Sequence, residues 1–222
     1  MLPALTSLRF IGDNEYLEDI LSRIDAPLLN CIEIEPFNEV VFDARQLRHF
    51  ISRTEAFKEA HRAVVESYGS SMVFVVLSRR VTADHIDHKL LGSRTSPKQW
   101  YWRVSSFAQF CSSALPPLPT LESLEIRQGG EHWQGSMGHT EWLEFLRPFT
   151  SVKNLVLSRE AARYLAPALQ ELNLKNVTGI LPALETLSLK ASARSGPTQE
   201  AIAQFVATRQ LSGRPVAVLY DD

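Results

Sequence analysis

A nine-residue pattern, L-P-x-L-x-x-L-x-Φ with Φ apolar, recurs along this chain and constrains its fold more than any single residue does. It occurs in full at residues 2–10, 118–126 and 181–189, and without its first leucine at residues 27–34. Residues 152–157 carry the apolar core of the pattern without the proline. Recurrence of one supersecondary unit predicts a stack of units, each of which buries its leucines only against its neighbours.

The spacing of these patterns defines a period. The first apolar position of each apolar core lies at Leu5, Leu29, Leu121, Val152 and Leu184. Successive steps are 24 residues, a long gap, and then 31 and 32 residues. Adding 32 residues once more reaches Val216, inside an apolar run that predicts a last strand. The sequence therefore predicts irregular repeats of about 24–32 residues.

Helical patterns lie between the predicted strands. Residues 14–24, 140–146, 160–172 and 198–210 place apolar side chains three and four positions apart, as amphipathic helices do. Thr140 is the predicted N-cap of the second helix. Pro167 is expected to kink the third helix or to end it early, because proline lacks a backbone N–H.

The predicted fold is an α/β solenoid with parallel strands on one face and helices on the other. The last two apolar positions of each pattern are two residues apart, so they point to the same side of a strand. Polar residues alternate with them, for example at Arg9, Glu33, Glu125 and Ser188. A doubly wound sheet, covered on both faces, would need nearly continuous apolar strands instead. One open face of the sheet therefore fits the sequence better.

The middle of the chain does not follow the repeat period. Residues 61–67 and 72–77 are β-like runs on either side of Gly69, which predicts a hairpin. Residues 79–98 are polar and predict a long loop, which a strand at 99–104 and a short helix at 107–111 follow. We expect a single domain over residues 1–222, with an irregular insertion at about residues 61–104.

Composition and charge narrow the function classes. The chain has 222 residues, 45% of them apolar and 22% charged, as in an ordinary folded domain. The formal net charge of −2 gives no electrostatic reason to expect nucleic acid or an anionic membrane as a partner. The first residues show neither a signal peptide nor a membrane span, and two cysteines do not make a disulfide framework. We therefore expect a cytoplasmic or nuclear location.

Candidate catalytic and metal-binding residues form no recognisable constellation. His85 and His88 lie beside two aspartates but lack a third anchor at a familiar spacing. No G-x-S-x-G motif occurs, and the glycine-rich residues 129–138 lack the Lys-Ser/Thr of a phosphate loop. We predict no catalytic residue, no metal and no cofactor. Two alternatives stay open: a hydrolase or metal-dependent enzyme with its site in the 79–98 or 129–142 loops, and a structural fragment without independent activity.

The repeats resemble the leucine-rich-repeat superfamily. More narrowly, the chain is similar to leucine-rich-repeat-like proteins of mushroom-forming fungi, which are basidiomycetes, of the F-box-like family. The similar stretches are F-K-E-A-H at 57–61, F-A-Q-F-C-S-S at 107–113, H-W-Q at 132–134, W-L-E-F-L-R-P-F at 142–149 and V-A-T-R-Q-L-S at 206–212. The resemblance covers the repeat region only, since the sequence shows no F-box. It implies a role as the substrate-recognition part of an F-box-type ubiquitin ligase adaptor.

The predicted binding surface is the ribbon of side chains that emerges between the buried leucines. Its members are Arg9, Glu33, Glu35, Glu125, Arg127, Asn154, Ser158, Thr186, Ser188 and Lys190. Their charges are mixed and spread along the stack, whereas a nucleic-acid surface would be uniformly basic. Concave faces of solenoids often bind proteins. We therefore predict a non-enzymatic protein-binding scaffold with an unidentified protein partner and with neither nucleic acid nor membrane as a ligand.

Overall fold

The structure is a computed structural model that describes most of the repeats. The described residues are 2–29, 31–36, 45–58, 60–68, 71–78, 91–94, 118–129, 138–174, 179–190 and 196–221. The strands are β1 (Ser7–Gly12), β2 (Cys31–Pro36), β3 (Ala60–Tyr68), β4 (Ser71–Ser78), β5 (Leu91–Arg94), β6 (Ser123–Gly129), β7 (Asn154–Leu157), β8 (Thr186–Lys190) and β9 (Ala217–Asp221). The helices are α1 (Asn14–Arg23), α2 (Arg45–Arg53), α3 (Glu55–Lys58), α4 (His139–Leu146), α5 (Arg159–Leu174) and α6 (Pro197–Leu211).

Each copy of the sequence pattern opens with the same tight turn. The N–H of its fourth residue donates to the C=O of its first, as in Leu121 to Leu118 and Leu184 to Leu181, both at 3.1 Å. Proline fits the second position, because its fixed φ suits the turn and it has no N–H to leave unpaired. Where proline is absent, Val152 still donates to Phe149, at 3.4 Å. The turn therefore determines where the following strand begins.

The strands that follow these turns pair in parallel. Three of them, β6, β7 and β8, form a parallel array with β3 and β9 in the order β3-β6-β7-β8-β9. Leu124 pairs with Leu155, and Leu155 with Leu187, so leucines of successive patterns lie side by side. β1 and β2 also pair in parallel, but in a separate two-stranded sheet, which places Leu8 outside the larger array. The predicted α/β class with parallel strands is confirmed for these five strands.

The core lies between the parallel strands and the helices. Leu124, Leu155 and Leu187 are fully buried in one apolar cluster that includes Leu165 and Leu169 of α5. α5 contacts β6, β7 and β8, and it also contacts α4 and α6 on either side. We call the opposite surface of the array the open face. Its residues with described side chains are Arg62, Val64, Ser123, Glu125, Arg127, Asn154, Val156, Thr186, Ser188, Lys190, Ala217 and Leu219.

The helices α1 and α2 cap each other. The Glu18 carboxylate of α1 accepts the N–H groups of Gln46 and Leu47 in the first turn of α2, at 2.7 and 3.0 Å. In return, the Arg53 side chain of α2 donates to the Leu21 carbonyl near the end of α1, at 3.2 Å. Both contacts satisfy backbone groups that a helix end leaves without partners, and their charges match the helix dipoles.

One local helix prediction is wrong, and another is wrong in part. Thr140 does not cap α4, because the helix already begins at His139 and its N-cap is Gly138. The Glu141 carboxylate, from the first turn of the helix, accepts the Gly138 N–H at 2.8 Å and so stabilises this N-cap. α5 continues past Pro167 to its end at Leu174, so the predicted early end is wrong, while a kink at Pro167 stays a prediction. Full burial of α5 side chains on both sides of Pro167, at Leu165 and Leu169, offsets the one hydrogen bond that proline cannot make.

The irregular middle contributes to the sheet. The predicted hairpin is confirmed as the antiparallel pair β3–β4. Residues 91–94, which we expected in a loop, form β5 and pair antiparallel with β4. β3 pairs in parallel with β6 and is thus a member of the parallel array. The predicted strand at 99–104 and helix at 107–111 lie outside the described residues. The single domain with an irregular insertion at about residues 61–104 stays a prediction.

No helix in the described part of the chain is both long and apolar enough to cross a lipid bilayer.

Candidate binding face

A buried carboxylate lies at the centre of the open face. Glu125 of β6 is only 1% exposed, and three cationic side chains cover it. Its Oε1 accepts hydrogen bonds from Arg127 Nε at 2.7 Å and from Lys190 Nζ at 2.8 Å. Its Oε2 accepts from Arg127 Nη2 at 3.0 Å and from Arg62 Nη2. We call these four residues the Glu125 cluster.

Strand register brings the three cations together. Arg127 lies two residues beyond Glu125 on β6 and therefore on the same face. Arg62 comes from β3, the neighbour of β6 on one side. Lys190 comes from β8, which is separated from β6 by β7, where Val156 is the pairing partner of Glu125. The long Lys190 side chain thus crosses β7 to reach the carboxylate.

The cluster keeps Glu125 ionised. Burial by itself would raise the pKa of Glu125, but hydrogen bonds from Arg127, Lys190 and Arg62 together outweigh it and lower the pKa to about 2. The side chains of Arg62, Arg127 and Lys190 remain 43%, 36% and 47% exposed. The cluster therefore hides its negative charge and presents positively charged groups to the solvent.

Beside the cluster, toward β9, the described side chains of the open face are uncharged. This part consists of Asn154, Val156, Thr186, Ser188, Ala217 and Leu219. Asn154 and Ala217 are exposed and flank Thr186 in one cross-strand row. Leu219 is 50% exposed, so this part also offers an apolar contact. A cationic region and a partly apolar region thus lie next to each other on one surface.

Six of the ten predicted surface residues lie on the open face, and three lie on another sheet. Arg127 and Lys190 meet at Glu125, while Asn154, Thr186 and Ser188 lie beside them on the open face. The three set apart are Arg9, Glu33 and Glu35, which belong to the separate β1–β2 sheet. Arg9 and Glu33 are pairing partners there. Whether any of these residues binds a partner stays a prediction.

Two of the predicted surface residues have a different environment from the expected one. Glu125 was expected to emerge at the surface and is instead buried, because the alternation of a strand indicates a face but not what covers it. Ser158 caps α5: its hydroxyl accepts the Ala161 N–H at 3.3 Å, and its C=O accepts the Ala162 N–H at 2.9 Å. The chain turns into α5 directly after β7 ends at Leu157, which directs the serine to the helix.

Arg62 is the functional candidate that the sequence reasoning missed. Its strand carries the same spacing as the repeats, with Ala60, Ala63 and Val65 in place of leucines, and these three side chains are buried. Ala63 and Val65 pair with Leu124 and Ile126 of β6. A search for the spacing Φ-x-x-Φ-x-Φ that admits alanine would have found this strand.

The enzyme alternatives find no support in the described residues. Nowhere in those ranges are three or more His, Cys, Asp or Glu side chains placed to hold a metal ion. His85 and His88 lie outside the described residues, as do residues 79–90, 95–98 and 130–137 of the two candidate loops. A hydrolase or metal-dependent site in these loops therefore stays a prediction.

Comparison with known proteins leaves the family open. Protein-family models, curated proteins and solved structures give no match to this chain. The resemblance to leucine-rich-repeat-like proteins therefore stays a prediction.

Proposed function

We propose that this chain is a leucine-rich-repeat-like solenoid whose open face binds a protein partner. The observation that carries the proposal is the array β3-β6-β7-β8-β9, with buried leucines on one side and a mixed polar surface on the other. Recurrence of the same turn before β6, β7 and β8 supports a repeat architecture. Stacked repeats commonly use such extended surfaces for binding.

The chemistry of the open face favours a protein as the ligand. Protein interfaces combine apolar contacts with hydrogen-bonding groups, and arginine is enriched in them. The open face offers this mixture, with Arg62 and Lys190 next to Val156 and Leu219. The described cations meet at one point of the face and do not form the continuous basic track that a nucleic-acid backbone requires.

The resemblance adds a more specific role, that of substrate recognition in an F-box-type ubiquitin ligase adaptor of the cytoplasm or nucleus. Support for it is the repeat pattern of the sequence alone. The coding sequence upstream of Met1 in the native transcript tests this role, together with co-purification of ligase subunits. If the transcript encodes no F-box and no ligase subunit co-purifies, the ligase role fails and the binding scaffold remains.

Site-specific photo-crosslinking tests the binding proposal. A photoreactive amino acid replaces Ala217, which is exposed on the open face, or Ala203, which is exposed on α6. In a lysate of the native cells, we expect a discrete protein adduct from position 217 that Asn154→Tyr abolishes by blocking the same cross-strand row. Position 203 is the matched control and should give no such adduct. An adduct at 203 alone, or none at 217, would contradict a binding role for the open face.

A further inference from the structure

The Glu125 cluster contains more cationic donors than its own carboxylate uses. An arginine side chain has five N–H donors and a lysine side chain has three. Among the described residues, Arg62 and Lys190 each give one hydrogen bond, and both bonds go to Glu125. Both Glu125 oxygens already accept two hydrogen bonds each. Arg62 and Lys190 therefore have N–H groups that a second carboxylate could use.

These donors are exposed and held in position. The side chains of Arg62 and Lys190 are 43% and 47% exposed, while the carboxylate that anchors them is buried. Long cationic side chains normally lose rotamer freedom, which opposes binding, when a ligand orders them. Glu125 has already ordered both ends, so an incoming anion meets a preorganised pair.

Charge complementarity selects the ligand. Among the described side chains of this part of the open face, three cations and one carboxylate leave an excess of positive charge, which one further anion reduces. A guanidinium group matches a carboxylate with two parallel hydrogen bonds. The exposed Leu219 and half-buried Val156 on the same face provide apolar contacts for the residues next to that anion.

We propose that Arg62 and Lys190 bind an aspartate or glutamate side chain of the partner, so that the ligand of the open face is an acidic peptide segment with apolar neighbours. This inference rests on the proposed function and specifies the chemistry of the partner. Glu125 acts as a positioning residue, because it orders the two cations from below without contacting the ligand.

Selection from a displayed library of random peptides tests this inference. Peptides enriched on the wild-type protein should carry Asp or Glu next to an apolar residue. The double variant R62Q/K190Q should lose this enrichment, and the best acidic peptide should bind it at least about tenfold more weakly by fluorescence anisotropy. The matched control R23Q/R147Q removes two exposed cations outside the open face and should bind like wild type.

Every other result counts against the inference. Enriched peptides without acidic residues, no binding peptides at all, or binding confined to phosphoserine versions would contradict an Asp or Glu ligand.

If R62Q/K190Q fails to fold, the single variants R62Q and K190Q each leave two cations on Glu125, and each should weaken binding about threefold. If neutral peptides bind the wild-type protein and its photo-adduct at position 217 forms, the inference fails while the proposed function stands. If neutral peptides bind and no adduct forms at position 217, both the inference and the proposed function are contradicted.

Discussion

The ammonium group of Lys190 lies 2.8 Å from the Glu125 carboxylate, although a whole strand runs between the two strands that carry them. The contact forms only if β6, β7 and β8 are aligned in the observed register, since a shift by one residue would turn Lys190 to the other face. The pair therefore connects the stacking of the repeats with the chemistry of the open face.

Acid should weaken the folded state through Glu125. Its pKa is about 2 in the folded protein, and near 4.3 in an unfolded chain. A depressed pKa gives stability that is fully present above the unfolded value and is lost as the pH falls from about 5 toward about 2. The contribution is on the order of 3 kcal/mol, because one pKa unit corresponds to about 1.4 kcal/mol.

Urea unfolding at several pH values checks this prediction. The free energy of unfolding of wild type should exceed that of Glu125→Gln at neutral pH, and the difference should shrink as the pH falls to about 3. Glu144→Gln removes a partly exposed carboxylate of α4 that pairs with Arg147, and should cost less than about 1 kcal/mol. A difference between wild type and Glu125→Gln that does not change with pH would mean that the cations do not hold Glu125 ionised.

Two leucines of the repeat pattern should respond very differently to truncation. Leu184→Ala empties a site that is 2% exposed, and should lower the free energy of unfolding by about 3 kcal/mol. Leu28→Ala changes a turn position that is 61% exposed, and should cost less than about 0.5 kcal/mol. Chemical denaturation measures both. Equal losses would show that the pattern positions do not alternate between core and solvent as described.

Ser158 should contribute to stability and not to binding. Ser158→Ala removes the N-cap of α5, and should cost about 1 kcal/mol. Ser188→Ala, on the open face, should change the free energy of unfolding by less than about 0.5 kcal/mol. Thermal unfolding and the photo-adduct at position 217 report the two effects. A Ser158→Ala variant of unchanged stability that loses the adduct would return Ser158 to the binding surface.

Removal of Glu18 should loosen the start of α2. Glu18→Ala leaves the N–H groups of Gln46 and Leu47 without their carboxylate, and should destabilise the protein by about 1 kcal/mol. Hydrogen exchange of these two amides should be faster in the variant than in wild type, and the increase should exceed that of amides inside α5. Glu15→Ala, at an exposed position of the same helix α1, is the control. Unchanged exchange at Gln46 and Leu47 would show that Glu18 does not cap α2.

Local structure was predictable because its causes are local. The turn that places Leu184 depends on a hydrogen bond to Leu181, only three residues earlier, and on the proline between them. Four helices, α1, α4, α5 and α6, followed from apolar spacing in the same way, whereas α2 and α3 were not predicted. The cap of α4 also differed from the prediction, because at Gly138 the Glu141 side chain acts from inside the helix.

The site was less predictable because its causes are distant in sequence. Arg62 and Glu125 are 63 residues apart, and no local pattern shows that β3 lies next to β6. Strand alternation correctly placed Glu125, Arg127 and Lys190 on one face. It could not show that the two cations, joined by Arg62, would cover the carboxylate, because that depends on side chains reaching across strands.

The arrangement of the buried leucines is the claim on which the open face depends, and methyl nuclear Overhauser effects measure it directly. Because these residues are pairing partners in adjacent strands, cross-peaks should connect the methyl groups of Leu124 with Leu155 and of Leu155 with Leu187. Leu124 and Leu187, two strands apart, should show a much weaker cross-peak or none. A strong contact between Leu124 and Leu187, or a Leu155 that contacts neither neighbour, would contradict the parallel array and the open face with it.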